Sequence, residues 1–234
     1  MHDRILTWEG CNNVRDLGSL CTVDGRTTRL GALIRGDTPQ RLTPAGWEAL
    51  HATGVRTIIR LLTHGMDETE WGYTPPYADI RVVQAPIEDF TDREFIEQWI
   101  VTELWGTPLY FADALRRWPE RHAAVVSAVA RAQPGGVLFH CVRGYDRTGI
   151  IALLLLALAG VKPEEIVADY ELSVDPSREE LLTRYNTSVR QSIVDTLAGF
   201  DFDEYLRAGG VSPQEIAAVR QRMLGEAESE TYAE

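Results

Sequence analysis

The chain has 234 residues, 44% of them hydrophobic, and a formal net charge of −12. That length and apolar content suffice for one sizeable core, while the negative field excludes a general affinity for nucleic acid or anionic membrane surfaces. Three cysteines, Cys11, Cys21 and Cys141, neither pair evenly nor show the CxxC or Cys/His spacing of a zinc site. A reduced, cytoplasmic setting with no metal is the expectation.

Met1 to Trp8 lacks a basic stretch followed by a long apolar one, so no signal peptide is expected. From Asn12 to Arg35, apolar stretches alternate with turn formers such as Asp24-Gly25, which predicts small strands and hairpins at the edge of the fold. A helix follows, capped by Thr43, with Pro44 in its first turn, Trp47 and Leu50 on its apolar face, and Gly54 as its stop. Val55 to Leu61 and Ile80 to Ala85 read as two core strands.

Between Phe90 and Trp118, the spacing of Phe95, Trp99, Trp105, Tyr110 and Phe111 predicts one or two amphipathic helices. Their aromatics are expected in the core, with a lid over a pocket as the minority reading. Pro119 to Ala132 is a further helix, broken by Pro134-Gly135-Gly136 before the short apolar strand Val137 to His140. The run Ile150 to Ala159 falls short of the roughly 20 apolar residues that span a bilayer. It is read as a buried helix, several helices follow to about Leu224, and no integral membrane segment is expected. A strand, a tight loop and a buried helix in succession predict an α/β fold with a mostly parallel sheet flanked by helices, its site at the strand's carboxyl end.

The chemistry concentrates in His140-Cys-Val-Arg-Gly-Tyr-Asp-Arg-Thr-Gly149. A phosphate dianion needs a concave array of donors, which the free amides at a helix N-terminus supply. The loop Val142, Arg143, Gly144, Tyr145, Asp146 and Arg147 stands where such a cradle would form. Gly144 suits a tight curl with positive φ, and Gly149 lets the helix pack close behind. Cys141 sits at the mouth, where amides, helix dipole and a guanidinium favour a thiolate nucleophile. Arg147, six residues on, can fold its fork over the phosphoryl oxygens. Thr148 can hold the sulfur as it leaves, and His140 is expected to brace the loop rather than act as a base. Two displacements at phosphorus follow, with a phosphocysteine between them and no cofactor.

At these residues the chain resembles the cysteine-dependent protein tyrosine phosphatase superfamily, and within it the bacterial atypical tyrosine and lipid phosphatases whose loop reads HCxxGKDRTG. Asn13-Val-Arg-Asp-Leu-Gly18, Leu33-Ile-Arg-Gly-Asp37, Gly54 to Ile59 and Ile166 to Ser173 are similar to that family's other segments. The resemblance implies a single phosphatase-like domain, taken as residues 1–225, and the acidic composition of 226–234 predicts a disordered tail. It implies a phosphorylated substrate: phosphotyrosine, a lipid headgroup or a small metabolite. It also implies Cys141 as nucleophile, Arg147 as phosphate-binding arginine, and Asp146 as general acid or its positioner. Asp146 is chemically suited to the acid role, with plain capping of the loop as the alternative.

Two departures matter. Tyr145 stands where the family has lysine, and Arg60-Leu-Leu62 replaces its Asp-Leu-Arg element. Arg60 is thus a candidate pocket cation, joined by Arg143, unless both are solvated or paired with acids. Glu88 and Asp89, or Asp67 and Glu68, are candidate pocket acids. A phosphate-binding pseudoenzyme is the alternative function.

Overall fold

The computed structural model describes residues 4–66, 72–173 and 175–225. Asp67, Glu68 and the expected acidic tail lie outside them. Its sheet contains β1 (Arg15–Asp16), β2 (Leu33–Gly36), β3 (Val55–His64), β4 (Arg81–Asp89) and β5 (Gly136–His140), in the order β1-β2-β5-β3-β4. Only β1 runs antiparallel, so the sheet is mostly parallel as expected. β2 is not at the edge, because it pairs with β5 from Leu33↔Val137 to Gly36↔His140.

Side chains alternate across a strand, and the two sheet faces feed two cores. Ile34, Ile58 and Leu138 pack with Leu50 of α1 (Pro44–Ala52). On the other face, Leu33, Ile59, Val137 and Phe139 pack with the long core that surrounds the central helix. α1 starts as predicted: Thr43 accepts the Gly46 amide at 3.2 Å and Pro44 opens the first turn.

Both core strands outrun their predicted ends. β4 continues through Pro86 to Asp89, which an edge strand tolerates because its outer amides need no sheet partner. Its register with β3 shifts between Leu62 and Thr63.

The aromatic stretch is more broken than predicted. Arg93–Phe95 (α2) leads into a wide π turn at Ile96–Ile100, then a 3-10 turn at Pro108–Tyr110 and α3 (Phe111–Arg117). Glu103 and Gly106 both take positive φ, interrupting any continuous helix. Phe95, Tyr110 and Phe111 are wholly buried and pack edge to face, Phe95 against Tyr110 and Tyr110 against Phe111. They form core rather than lid.

α4 (Pro119–Ala130) precedes β5, and α5 (Asp146–Leu158) follows the loop. Nearly all of α5 is buried, which explains why it is apolar around its whole circumference. α6 (Pro163–Glu171), α7 (Pro176–Arg184), α8 (Val189–Ala198), α9 (Phe202–Ala208) and α10 (Pro213–Leu224) complete the chain. Among the described residues, no helix is long and apolar enough to cross a membrane.

Candidate active site

The loop between β5 and α5 sits at the carboxyl ends of β2, β3 and β5, where α/β sheets present their ligand sites. Four successive loop carbonyls are engaged from behind. His140 Nδ1 bonds the Cys141 carbonyl at 2.8 Å, and the Thr38 amide donates to Val142 at 3.1 Å. Asn13 Nδ2 donates to the Arg143 carbonyl at 3.1 Å and Arg35 Nη2 to that of Gly144 at 2.9 Å. Because a trans peptide points its C=O and N–H in opposite directions, these contacts turn the amides of Val142 to Tyr145 away from their anchors.

Gly144 adopts φ 72°, and a Cβ there would stand 2.7 Å from the carbonyl carbon and oxygen of Gly36. No other residue fits without moving backbone. At Gly149, a Cβ would meet the Tyr170 ring at 2.5 Å, so the predicted close packing of α5 is present.

The anchors belong to segments far apart in sequence. Asp169 on α6 binds Arg4 at 3.0 Å, Arg15 at 3.1 Å and Arg35 at 2.8 Å, and Arg15 also reaches Asn13 and Ser173. Burial opposes the Asp169 charge, but the three guanidiniums win and hold its pKa at about 2. The NxRDLG-like, LIRGD-like and ADYELS segments therefore meet as one brace beneath the loop.

A cleft exposes Cys141 together with Arg147, His140, Val142, Thr38, Arg60 and the end of β3 through Met66. Thr148 Oγ accepts the Cys141 amide at 2.9 Å, which leaves its own proton available beside the residue carrying the sulfur. Arg147 is almost wholly buried, donates from Nη1 to the Leu61 carbonyl at 3.1 Å, and makes no hydrogen bond through Nε among the described residues. Burial works against its charge, but Cys141, Glu88, Tyr110 and Asp146 raise its pKa above the usual arginine value.

His140 is locked. Facing a carbonyl, its Nδ1 must carry hydrogen, so Nε2 accepts from the Tyr73 hydroxyl at 2.7 Å. Burial, with Arg60 and Arg147 nearby, lowers its pKa to about 4. The bracing geometry expected for it is present. Arg60 lines the cleft and stacks 5.3 Å from the Tyr73 ring centroid.

Glu88 and Asp89 correct the pocket expected from sequence. Glu88 has no exposed surface and lies behind Arg147, its Oε2 4.0 Å from Arg147 Nε. It accepts Tyr110 OH at 2.8 Å and Thr63 Oγ at 3.0 Å. Burial raises its pKa, against the pull of Arg147 and the two hydroxyls. The next residue of the strand points the other way: Asp89 pairs with Arg121 at 2.6 Å and takes the Thr91 amide and hydroxyl. Neither carboxylate lines the cleft.

Asp146 opens α5, but Arg178 of α7 holds its carboxylate, with Nη2 to Oδ2 at 2.9 Å and a second contact to Oδ1. Burial raises its pKa and Arg178 chiefly opposes the rise. Arg143 is exposed and ion-paired with Asp175, so its side chain leaves the cleft, as the paired alternative held. Tyr145 lies between two guanidiniums, Arg143 at 4.9 Å and Arg178 at 5.1 Å from its ring centroid. Sequence reasoning missed Arg178, Asp175 and Tyr73. A proline at the first turn of α7 marks a helix start, but nothing local ties that helix to the loop.

A cysteine at the mouth of a cradle of amides, with a buried arginine in the same cleft, defines the cysteine-dependent phosphatase class. The chain belongs to the tyrosine phosphatase family, whose model matches residues 6–225. It is 30% identical over 179 residues to a tyrosine-protein phosphatase of Cupriavidus necator, covering 72% of this chain and 62% of that one. A tyrosine-protein phosphatase of Nostoc commune is 36% identical over 146 residues, 61% of this chain and 48% of the relative. The chain thus aligns with about half to under two thirds of the length of these two relatives. The triple specificity protein phosphatase PtpB of Mycobacterium tuberculosis is 27% identical, over 95% of this chain and 88% of its own.

Proposed function

We propose that the protein hydrolyses phosphate monoesters through a phosphocysteine intermediate, by a route with no metal or cofactor among its participants. The observation that carries this reading is the loop itself, with four carbonyls tied back and Cys141 and Arg147 sharing one cleft. The Cys141 thiolate attacks phosphorus, forming the S–P bond as the P–O bond to the leaving group breaks. Loop amides and Arg147 take the charge on the equatorial oxygens, and Thr148 supports the sulfur. Water then attacks phosphorus, the S–P bond breaks, and inorganic phosphate leaves.

Asp146 is the proposed proton donor to the leaving oxygen. Its burial favours the protonated form this requires, and Arg178 must loosen its hold for the proton to be delivered. That hold also favours a second reading, a phosphate-binding protein without efficient turnover. Phosphotyrosine, a phosphoinositide and a small phosphorylated metabolite are the substrate classes in view, the relatives' names supporting the first.

The deciding experiment is hydrolysis of an aryl phosphate in the presence of a chelator, by the wild type and by Cys141→Ser. Turnover that survives chelation, vanishes in the variant and leaves a trapped phosphocysteine supports the hydrolase. Tight phosphate binding without turnover between pH 5 and 8 supports the second reading instead.

A further inference from the structure

The carboxyl group proposed to protonate the leaving oxygen is held in an ion pair. Arg178 reaches both oxygens of Asp146, Nη2 to Oδ2 at 2.9 Å and Nη1 to Oδ1. Both side chains are largely shielded, 15% and 11% exposed. Gly106 passes beside them, and a Cβ there would stand 2.9 Å from Arg178 Nη2 and 3.6 Å from Asp146 Oδ2. Arg178 Nε also reaches Asp175 at 3.2 Å, and Asp175 is shared with Arg143.

A carboxylate that accepts charge-assisted bonds on both oxygens must give one up to carry a proton. The other groups facing Asp146 divide. Arg143 from the loop and Arg147 from α5 favour its charge, whereas burial and the Glu88 carboxylate of β4 oppose it. Tyr110, before α3, and Tyr170 of α6 are buried phenols that stay neutral at pH 7. Arg147 serves the phosphate and Arg143 is paired with Asp175, so the cation bonded directly to the acid is Arg178.

We propose that Arg178 is the positioning residue for Asp146: it fixes the carboxyl group beside the loop and sets the pH above which proton delivery to the leaving oxygen fails, with Asp175 moderating its charge. The inference rests on the phosphatase reading and on Asp146 as its acid. In the first displacement the proton passes from Asp146 to the leaving oxygen as the P–O bond breaks, and the carboxylate left behind returns to Arg178. In the second, that carboxylate takes the proton of the attacking water as the S–P bond breaks. Arg178 thus opposes the first transfer and favours the carboxylate that the second requires.

The test compares kcat/KM, between about pH 5 and 9, for phenyl phosphate, whose leaving oxygen needs a proton, and 2,4-dinitrophenyl phosphate, whose leaving oxygen does not. Arg178→Gln keeps a donor for Asp146 and removes the charge. The fall in phenyl phosphate turnover at high pH should move up by about one pH unit or more, the effect of one adjacent guanidinium on a carboxylate, and the phenyl to dinitrophenyl ratio there should rise about tenfold. Arg178→Lys should keep the wild-type position to within about half a unit. Asp175→Asn should move the fall to lower pH, because Arg178 and Arg143 then lack their other partner. A profile unmoved by Arg178→Gln, or a loss equal for both substrates at every pH, overturns the inference, since a merely structural residue gives one or the other. Asp146→Asn separates the two readings: a high-pH fall that persists there defeats Asp146 as the acid, whatever Arg178 does. Carbon-13 NMR of the side-chain carboxyls follows Asp146 without turnover, its signal identified by its loss in Asp146→Asn. A titration that Arg178→Gln does not raise overturns the inference. One that rises, in a protein that turns over neither substrate, keeps the control of Asp146 by Arg178 and defeats the hydrolase reading. Thermal unfolding verifies each variant, and if Arg178→Gln does not fold, the opposite shift in Asp175→Asn decides.

Discussion

Replacing Asp169 with asparagine keeps the shape of the brace beneath the loop and removes the carboxylate that its three arginines share. Three arginines then face one another: Arg15 and Arg35 are 1% exposed and Arg4 is partly buried. The carboxylate's pKa falls from the ordinary 3.8 to about 2, which is worth about 2 kcal/mol at neutral pH. A depressed acid pKa stabilises the fold above the unfolded value, so this contribution is present above pH 4 and is lost as pH falls towards 2. Substitution costs more than protonation in the wild type, because the buried guanidiniums permanently lose their partner; breaking such a pair costs roughly 3 to 5 kcal/mol. With a urea dependence of about 2 to 3 kcal/mol per molar, the unfolding midpoint at pH 7 should drop by about 1 to 2.5 M. The six tryptophans provide the fluorescence signal. Phosphate affinity should fall too, because Arg35 also holds the Gly144 carbonyl. A loss of stability under about 1 kcal/mol, with phosphate binding intact, would refute the account of the brace.

Gly144→Ala should abolish most activity towards an aryl phosphate and lower stability by at least about 1 to 2 kcal/mol, since it adds a left-handed penalty to a 2.7 Å clash with Gly36. Tyr110→Phe removes a donor from a wholly buried carboxylate, and thermal unfolding should register a cost of about 1 to 3 kcal/mol. His122 and His140 are both held near pKa 4 by burial against an ordinary 6.5. The unfolded chain takes up the proton first, so as pH falls from 6.5 to 4 each buried histidine costs the fold up to about 3 kcal/mol that is absent at neutral pH. His122→Gln should flatten the urea midpoint over that interval relative to wild type, which separates its share from the opposing titrations of Glu88 and Asp146.

The parts of the site legible in the sequence are those made by consecutive residues. Strand, loop and helix follow directly from Val137 to Leu158, so Cys141, Gly144 and Arg147 could be placed from spacing and turn chemistry alone. Thr43 and Pro44 were readable for the same reason, since a cap acts within one turn. Glu88 was not. Its strand runs through a proline, and whether a residue near the end of a strand faces the core or solvent reverses with a shift of one position. The structure turns Glu88 inward to Arg147 and Asp89 outward to Arg121.

Pairings across sequence distance were beyond local reading, and they decide how the loop is used. Arg178 and Asp175 follow Asp146 and Arg143 by 32 positions, and only tertiary packing of α7 brings them together. Arg178 also stacks on Tyr145, so one guanidinium touches both the proposed acid and the residue that replaces the family's loop lysine. The positive charge lost from the loop at Tyr145 is thereby returned from a different helix, but to the Asp146 side rather than to the cleft. Arg60 lines the cleft from β3. Arg178 and Arg60 thus enter from α7 and β3, apart from the carbonyl anchors that shape the loop. The departures from the family's pattern are Tyr145 and Arg60, while the residues that tie back the loop, Asn13, Arg35 and His140, lie in segments that resemble it.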